Sequence, residues 1–458
     1  MYRNAEKFLS KWLDKPNRKP LLLRGARQVG KSTLIRNFCI SKNLEIMEVN
    51  LEAQKVAEFA ADGFDVDAAV REIEAICSKR LSGECLLFLD EIQEQPKAVN
   101  WLRYFYEKRP DLRVVAAGSL LEVKLHQENF QMPVGRIEHY YLGPVTFGEF
   151  CLARGKRVLW EDAVSLNRLS AGAHELLSKL LTEYMFVGGM PEAVDVFIQS
   201  NNMEEVRSVQ DSILQTYRED LVKHGKLKKN DLISQVFNYA TGHIGEKVVF
   251  SKVSSERSAD VFSTISLLND ARVLLKVDFT KASGVPIRST VDPAVFKLYF
   301  LDVGLYNCLL GISWQALRKL PTEALLTKGK MAEQFVAQHI QFCEGFSKDP
   351  HLFYWLREKK SSNSEVDFVI QSKMDIYPVE VKSSKSGRMR SLWQFLFEKK
   401  STKGIRFDMA YRKELVSTHE HSVVIPGTTE RAVVSAKILN LPLYFAEVLT
   451  SKLSLFEE

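Results

Sequence analysis

The chain has 458 residues, 45% of them hydrophobic and 26% charged, and a formal net charge of +6. That length predicts about three or four compact units, and the ordinary composition excludes a disulfide-stapled miniprotein, a collagen-like fibre and a largely disordered chain. The modest positive charge permits nucleic-acid binding without requiring it.

The opening segment MYRNAEKFLSKWLDKPNRKP scatters charge through its apolar positions, so it reads as neither a secretory signal nor a membrane anchor. No later run reaches membrane-spanning length. The six cysteines, Cys39, Cys77, Cys85, Cys151, Cys308 and Cys343, contain no C-x-x-C pair. That spacing disfavours a zinc site and a disulfide framework, and it suits a reducing cytoplasm.

The first motif is LLLRGARQVGKST, from Leu21 to Thr33. An apolar run followed by Gly25, Ala26, Arg27, Gln28, Val29, Gly30, Lys31, Ser32 and Thr33 has the spacing G-x-x-x-x-G-K-S. It predicts a strand, a phosphate-cradling loop and a helix start. The glycines let successive N–H groups face one anion, Lys31 reaches the β- and γ-phosphates of ATP, and the Ser32 hydroxyl is a ligand for Mg²⁺. A helix is expected from Ser32 to Ser41 and a second strand from Glu45 to Asn50.

LLFLDEIQ then describes a buried parallel strand that delivers Asp90 and Glu91 to a sheet rim. Asp90 is the expected magnesium ligand, and Glu91 the base that orients and deprotonates the attacking water. Taken alone, the pair would serve equally as the first turn of a helix. The phosphate loop one strand-pair earlier favours the chemical role. A third strand from Arg113 ends in Gly118 and Ser119, which places Ser119 as a γ-phosphate sensor or as ordinary turn chemistry. Arg136 follows, ahead of an aromatic strand. It is placed to stabilise transition-state charge in its own subunit or, in a homo-oligomer, in a neighbour, or to act as a surface ion-pairing arginine.

GARQVGKST, LLFLDEIQ, AAGS, VGRIEHYYLGPVTFGEF and YMFVGGMPEAV together resemble the prokaryotic AAA-type ATPases of AAA domain family 14, usually joined to domain of unknown function 4143. The resemblance covers essentially the whole chain. It implies a parallel sheet with an extra strand between the two Walker strands, and it makes Gly188-Gly189-Met190-Pro191-Glu192 a lid hinge. Many related ATPases have Asn where Ser119 stands.

From Ala173 to Val222 the pattern is helical, with Leu176, Leu177, Leu180 and Leu181 on its apolar side. Two basic groups stand out, Arg154, Lys156 and Arg157, then Lys223, His224, Lys226, Lys228 and Lys229. Each reads as a solvated linker or a DNA contact. Three helices and two strands, LLKVDFT and VFKLYFLDVGL, then suggest a winged helix with Ser255, Arg257, Ser258 and Thr264 available to phosphates or bases. Its sparse charge equally suits a protein partner.

The last domain carries a second chemical signal. SEVDFVI puts Glu365 and Asp367 on one strand face, with Val366, Phe368 and Ile370 on the other, and YPVEVKSS puts Glu380 and Lys382 on one face of the next. Asp367 and Glu380 can hold Mg²⁺, Lys382 can polarise a water or stabilise pentavalent charge, and Glu333 in the preceding helix can add an outer ligand. Alternating charge on a half-exposed strand has the plainer explanation of solubility and cross-strand pairing. Helix, strand, E-x-K strand and helix in that order resemble the PD-(D/E)XK nuclease superfamily. The expected fold is α/β throughout: an ATPase core (1–150), a helical lid (151–225), a winged-helix-like domain (226–320) and a restriction-endonuclease-like domain (321–458). ATP and Mg²⁺ are the expected cofactors and DNA the expected substrate. The rival expectation is a nucleotide-dependent switch or scaffold that cuts nothing.

Overall fold

The computed structural model describes residues 1–60, 63–121, 123, 135–166, 169–224, 230–319, 329–358, 363–382, 389–425 and 428–457, without the side chains of 221–224 and 230. The basic group from Lys223 to Lys229 therefore lies outside the described side chains.

One compact unit comprises Met1–Pro144 together with Ser266–Val273 and Gly345–Asp349. Its sheet consists of β1 (Leu21–Arg24), β2 (Ile46–Asn50), β3 (Leu86–Asp90), β4 (Arg113–Gly118) and β5 (Glu138–Tyr141), in the order β2-β3-β4-β1-β5. Every pairing is parallel. β4 is the extra strand between the Walker strands β1 and β3. All five residues of β3 are buried, as a continuous apolar run flanked by helices on both faces requires. On one face Phe59, Ile73, Trp101, Leu102 and Phe105 pack against Leu87, Leu89 and Val114. Because the strands are parallel, the ends of β1, β3 and β4 open onto one edge, where the phosphate loop, Asp90-Glu91 and Ser119 are found. Phe346 closes the β5 side: its carbonyl accepts the Tyr141 N–H at 2.8 Å and its ring stacks on Tyr140 at 5.3 Å.

A second unit comprises Val145–Ile265, Leu274–Glu344 and Pro350–Glu458. Its helices include Ala171–Val187, Pro191–Ser200 and Met203–His224, which bear out the helical reading of this stretch, although Leu176 faces solvent. Its sheet has eight strands: β6 (Leu274–Thr280), β7 (Val291–Phe300), β8 (Leu352–Arg357), β9 (Ser364–Ser372), β10 (Asp375–Val381), β11 (Lys403–Asp408), β12 (Val416–Val424) and β13 (Arg431–Pro442). Their order is β12-β13-β11-β10-β9-β8-β6-β7. The hairpin β6–β7, expected as a wing, is thus continued by β8, which pairs with β6 in parallel. Residues 226–320 and 321–458 share one sheet. Thr264 is buried and its hydroxyl donates to the Asp260 carbonyl at 2.9 Å, so it faces the core and not a ligand. The strand expected to run through LDVGL stops at Phe300, because Asp302 caps a helix, Val303–Leu309.

The Gly188–Glu192 segment makes the sharp turn its sequence predicts, with Gly188 at φ +74° and Pro191 at the first position of the next helix. It is pinned. The buried Asp302 carboxylate accepts the Gly189 N–H at 2.6 Å and the Leu305 N–H at 3.0 Å, and Gln338 donates to it at 3.2 Å. A Cβ at Gly188 would meet Asp302 Oδ1 at 2.1 Å and the Gly304 Cα at 2.8 Å. Burial holds the Asp302 carboxyl above the usual range and these amides counteract it. Asp302→Ala strips the N–H groups of Gly189, Leu305 and Gly304 of their acceptor, and should cost about 2–4 kcal/mol, read as a lower midpoint in denaturant unfolding of the intact chain.

Candidate functional site

The phosphate loop is shaped by close approach. Gly25 has φ +154°, and a Cβ there would lie 2.3 Å from the Leu142 carbonyl oxygen; Gly30 has φ +87° and begins the helix Lys31–Lys42. Only glycine suits both demands at Gly25. Lys31 is buried, and its ammonium donates to the carbonyls of Gly25 at 3.1 Å and Ala26 at 2.7 Å. The lysine therefore already lies over the loop it serves. Arg3, which the sequence reading missed, is also buried: it donates to the Val29 carbonyl at 3.1 Å and the Gly143 carbonyl at 2.8 Å, tying the loop to the segment after β5.

At the end of β3, Asp90 is buried and shares a hydrogen bond with the Ser32 side chain; desolvation raises its pKa. These are two hard oxygen donors in contact, a donor set that suits Mg²⁺. Glu91 adopts a left-handed conformation, φ +51°. Its Oε2 accepts from Gln93 Nε2 at 2.5 Å and from Ser119 Oγ at 3.4 Å. Ser119 thus contacts the proposed base directly, and Gln93, another residue not foreseen, holds it more closely. Local strain of this kind concentrates at functional positions. Arg136 is exposed and pairs with Glu107 at 2.9 Å, the surface ion pair that was one of its expected readings. Such exposed pairs are weak enough to exchange for another anion.

In the second unit, Glu333, Glu365, Asp367, Glu380 and Lys382 gather around a centre completed by two residues of β7, Lys297 and Tyr299. Glu333 accepts from the Tyr299 hydroxyl at 3.0 Å. Asp367 Oδ2 accepts the Val381 N–H at 2.8 Å. Lys382 ion-pairs with Glu380, and the fully buried Lys297 with Glu365. Burial, followed by the charge of Asp367, pushes both Glu333 and Glu380 up to about 8.

Strict alternation along β9 does not hold. Trp355 pairs with Val366 and Phe353 with Val369, so a β-bulge intervenes, and Val366 and Val369 enter the same apolar cluster with Phe395. The bulge moves Phe368, whose ring lies 5.5 Å from that of Tyr299, off the face of Val366, while Glu365 and Asp367 both act on Lys297 as one shared face requires. Among the described residues, no group of three or more His, Cys, Asp and Glu side chains stands ready to hold a metal ion. Tyr299, the Val381 amide and the two lysines each engage one carboxylate instead. The donor set nevertheless fits a hard cation: it is all oxygen, and Glu380 Oε2 is buried without a hydrogen-bond partner.

Three family profiles match successive parts of the chain: an AAA domain (family 14) at residues 17–151, a domain of unknown function (DUF8612) at 178–316 and a domain of unknown function (DUF4143) at 328–441. No curated protein sequence matches. Among solved structures, the Walker-type ATPase PABY2304 of Pyrococcus abyssi is 14% identical over 68% of this chain and 95% of its own, with a TM-score of 0.40. The Aeropyrum pernix Orc1 protein in complex with DNA is 14% identical over 69% and 93%, with a TM-score of 0.27. The Thermotoga maritima RuvB Holliday junction branch migration motor is 17% identical over 59% and 88%, with a TM-score of 0.28. No helix among the described residues is long and apolar enough to cross a membrane. The chain therefore carries an AAA-type P-loop ATPase domain of family 14 and, toward its other end, a domain of unknown function 4143.

Proposed function

We propose that the chain hydrolyses ATP and that its nucleotide state controls a nuclease-type centre acting on DNA. The observation that carries this reading is the presence, in one chain, of a glycine-shaped phosphate loop with Asp90-Glu91 beside it and of a buried carboxylate–lysine centre. In the ATPase, the loop amides and Lys31 cradle the phosphates. A water gives its proton to Glu91 as it attacks the γ-phosphorus, the bond to the β–γ bridging oxygen breaks, and ADP and phosphate leave. Ser119 and Gln93 orient Glu91. Mg²⁺ would be held by Ser32 and Asp90 here, and by Asp367 and Glu380 with Glu333 outside them in the second centre; when bound it supplies charge stabilisation on phosphate oxygens.

In the second centre, Lys382 stabilises charge on the phosphodiester while water displaces one ester oxygen. The helices around Phe250–Val253 and Ser258–Asp270 with the β6–β7 hairpin are read as winged-helix-like, with exposed Ser255, Arg257 and Ser258 as DNA contacts. A second reading, a switch or scaffold that cuts nothing, is favoured by one observation: Glu365 and Glu380 are already neutralised by lysines.

Gly25→Ala should weaken binding of a fluorescent ATP analogue by at least about tenfold, since the added Cβ must displace the Leu142 carbonyl or the loop; unchanged affinity would refute the cradle. Glu91→Gln should bind the analogue normally and turn over ATP about a hundredfold more slowly, or less still. Phosphate release in steady state measures this, and undiminished turnover would remove Glu91 from the chemistry. Incubated with plasmid and branched DNA in Mg²⁺, the intact protein should nick or cut, and Asp367→Ala should not. Cleavage that survives the substitution would overturn the site, and none by the intact protein would favour the scaffold.

A further inference from the structure

The strand β7 lies outside the domain 4143 match, yet it delivers a second lysine to the carboxylate centre. Lys297 is completely buried. Its ammonium is ion-paired to Glu365 and lies 4.7 Å from the centre of the Tyr354 ring. A lysine withdrawn from water needs a counter-charge at close range, and Glu365 is committed to that duty. Two residues along the same strand, the Tyr299 hydroxyl donates to Glu333. Gly245 packs against this pair so closely that a Cβ there would lie 2.7 Å from Glu333 Oε2 and 3.0 Å from the Tyr299 oxygen. One flank of the centre is therefore built by residues that precede domain 4143 in the chain. On the other flank, Asp367 is anchored by the Val381 amide and Glu380 by Lys382.

We propose that Lys297 stands where a second metal ion would otherwise be required: it withdraws Glu365 from the ligand set, so that the centre holds one divalent cation, on Asp367 and Glu380. This rests on the nuclease-type reading of the centre. Two-metal phosphodiesterases set their ions about 3.5–4 Å apart, with carboxylates between them. Here the chain supplies one of the two positive charges itself. The assignment also decides between two acids close together on β9: Asp367 is the ligand, and Glu365 is the partner of Lys297.

The test is Mn²⁺ binding to the full-length, nucleotide-free chain, counted by electron paramagnetic resonance and calorimetry. All proteins carry Asp90→Asn so that the phosphate-loop site contributes no ion. The parent should bind one Mn²⁺ per chain, and Lys297→Met should bind two, because Glu365 is released. Adding Glu365→Gln to Lys297→Met should return the count to one. Glu365→Gln alone leaves the charge of the buried lysine uncancelled, so it should still bind one ion but more weakly than the parent, and adding Lys297→Met should restore the affinity. Loss of the ion in Glu365→Gln that Lys297→Met does not restore would make Glu365 a ligand and overturn the proposal, as would a count of one in folded Lys297→Met. Two ions in the parent would overturn the proposal and leave the nuclease-type reading standing. No ion in the parent would overturn both.

Discussion

A carboxylate withdrawn from water must be given a donor or a counter-charge, and the architecture of this chain is organised around meeting that requirement. The kind of partner differs from place to place. Asp302 is satisfied by the backbone amides of Gly189 and Leu305, which cannot leave without unmaking the turn at Gly188. Its role is to fix the backbone. The side-chain partners are a serine hydroxyl for Asp90, which also accepts the Glu91 N–H, an amide and a hydroxyl for Glu91, and an ammonium for Glu380. Those partners can rotate away, and a cation or a water proton can take their place. Side-chain partners of this kind recur at the phosphate-loop edge and in the carboxylate–lysine cluster, where Asp367 is the exception, held by the Val381 amide.

Much of the first centre was legible because its parts are local in sequence. The phosphate loop needs glycine at Gly25 and Gly30 and lysine next to the second glycine, and one turn of chain holds all three. The β3 run ends in its two acids within a single apolar stretch. Strand order was harder: β4 lies between β1 and β3, which the family resemblance implied and which spacing alone does not encode. Arg3 was missed because its acceptors are remote, at Val29 and Gly143. An arginine three residues from the amino end reads as solvent-exposed until the fold closes over it. Gln93 was missed for a different reason: it stands next to the motif, and glutamine carries no charge signal that would mark it as the group holding Glu91.

In the second unit, local reading succeeded for residue type and only in part for geometry. Glu333, Asp367, Glu380 and Lys382 do gather, yet the alternation breaks at a bulge after Asp367, so Phe368 leaves the face of Val366. Alternation assumes one residue opposite one residue, and two-against-one pairing is invisible in a single strand. The hairpin β6–β7 shows the same limit. A hairpin after three helices has the same local pattern whether its outer strand ends at solvent or is paired, and only the later strand β8, which joins β6, reveals that the sheet continues.

The composite character of the second centre follows from the same constraint. Lys297 and Glu365 are 68 positions apart in the chain, and Tyr299 and Glu333 are 34 apart. Neither partner is tolerable without the other: a buried ammonium lacking Glu365 or a buried Glu333 lacking a hydroxyl donor carries an uncompensated desolvation penalty. The segment bearing β7 and the segment bearing β9 and β10 therefore cannot satisfy their charges as independent domains. Two family matches that are separate in sequence, at 178–316 and 328–441, are physically halves of one centre, and the position of Lys297 within the first of them is the reason.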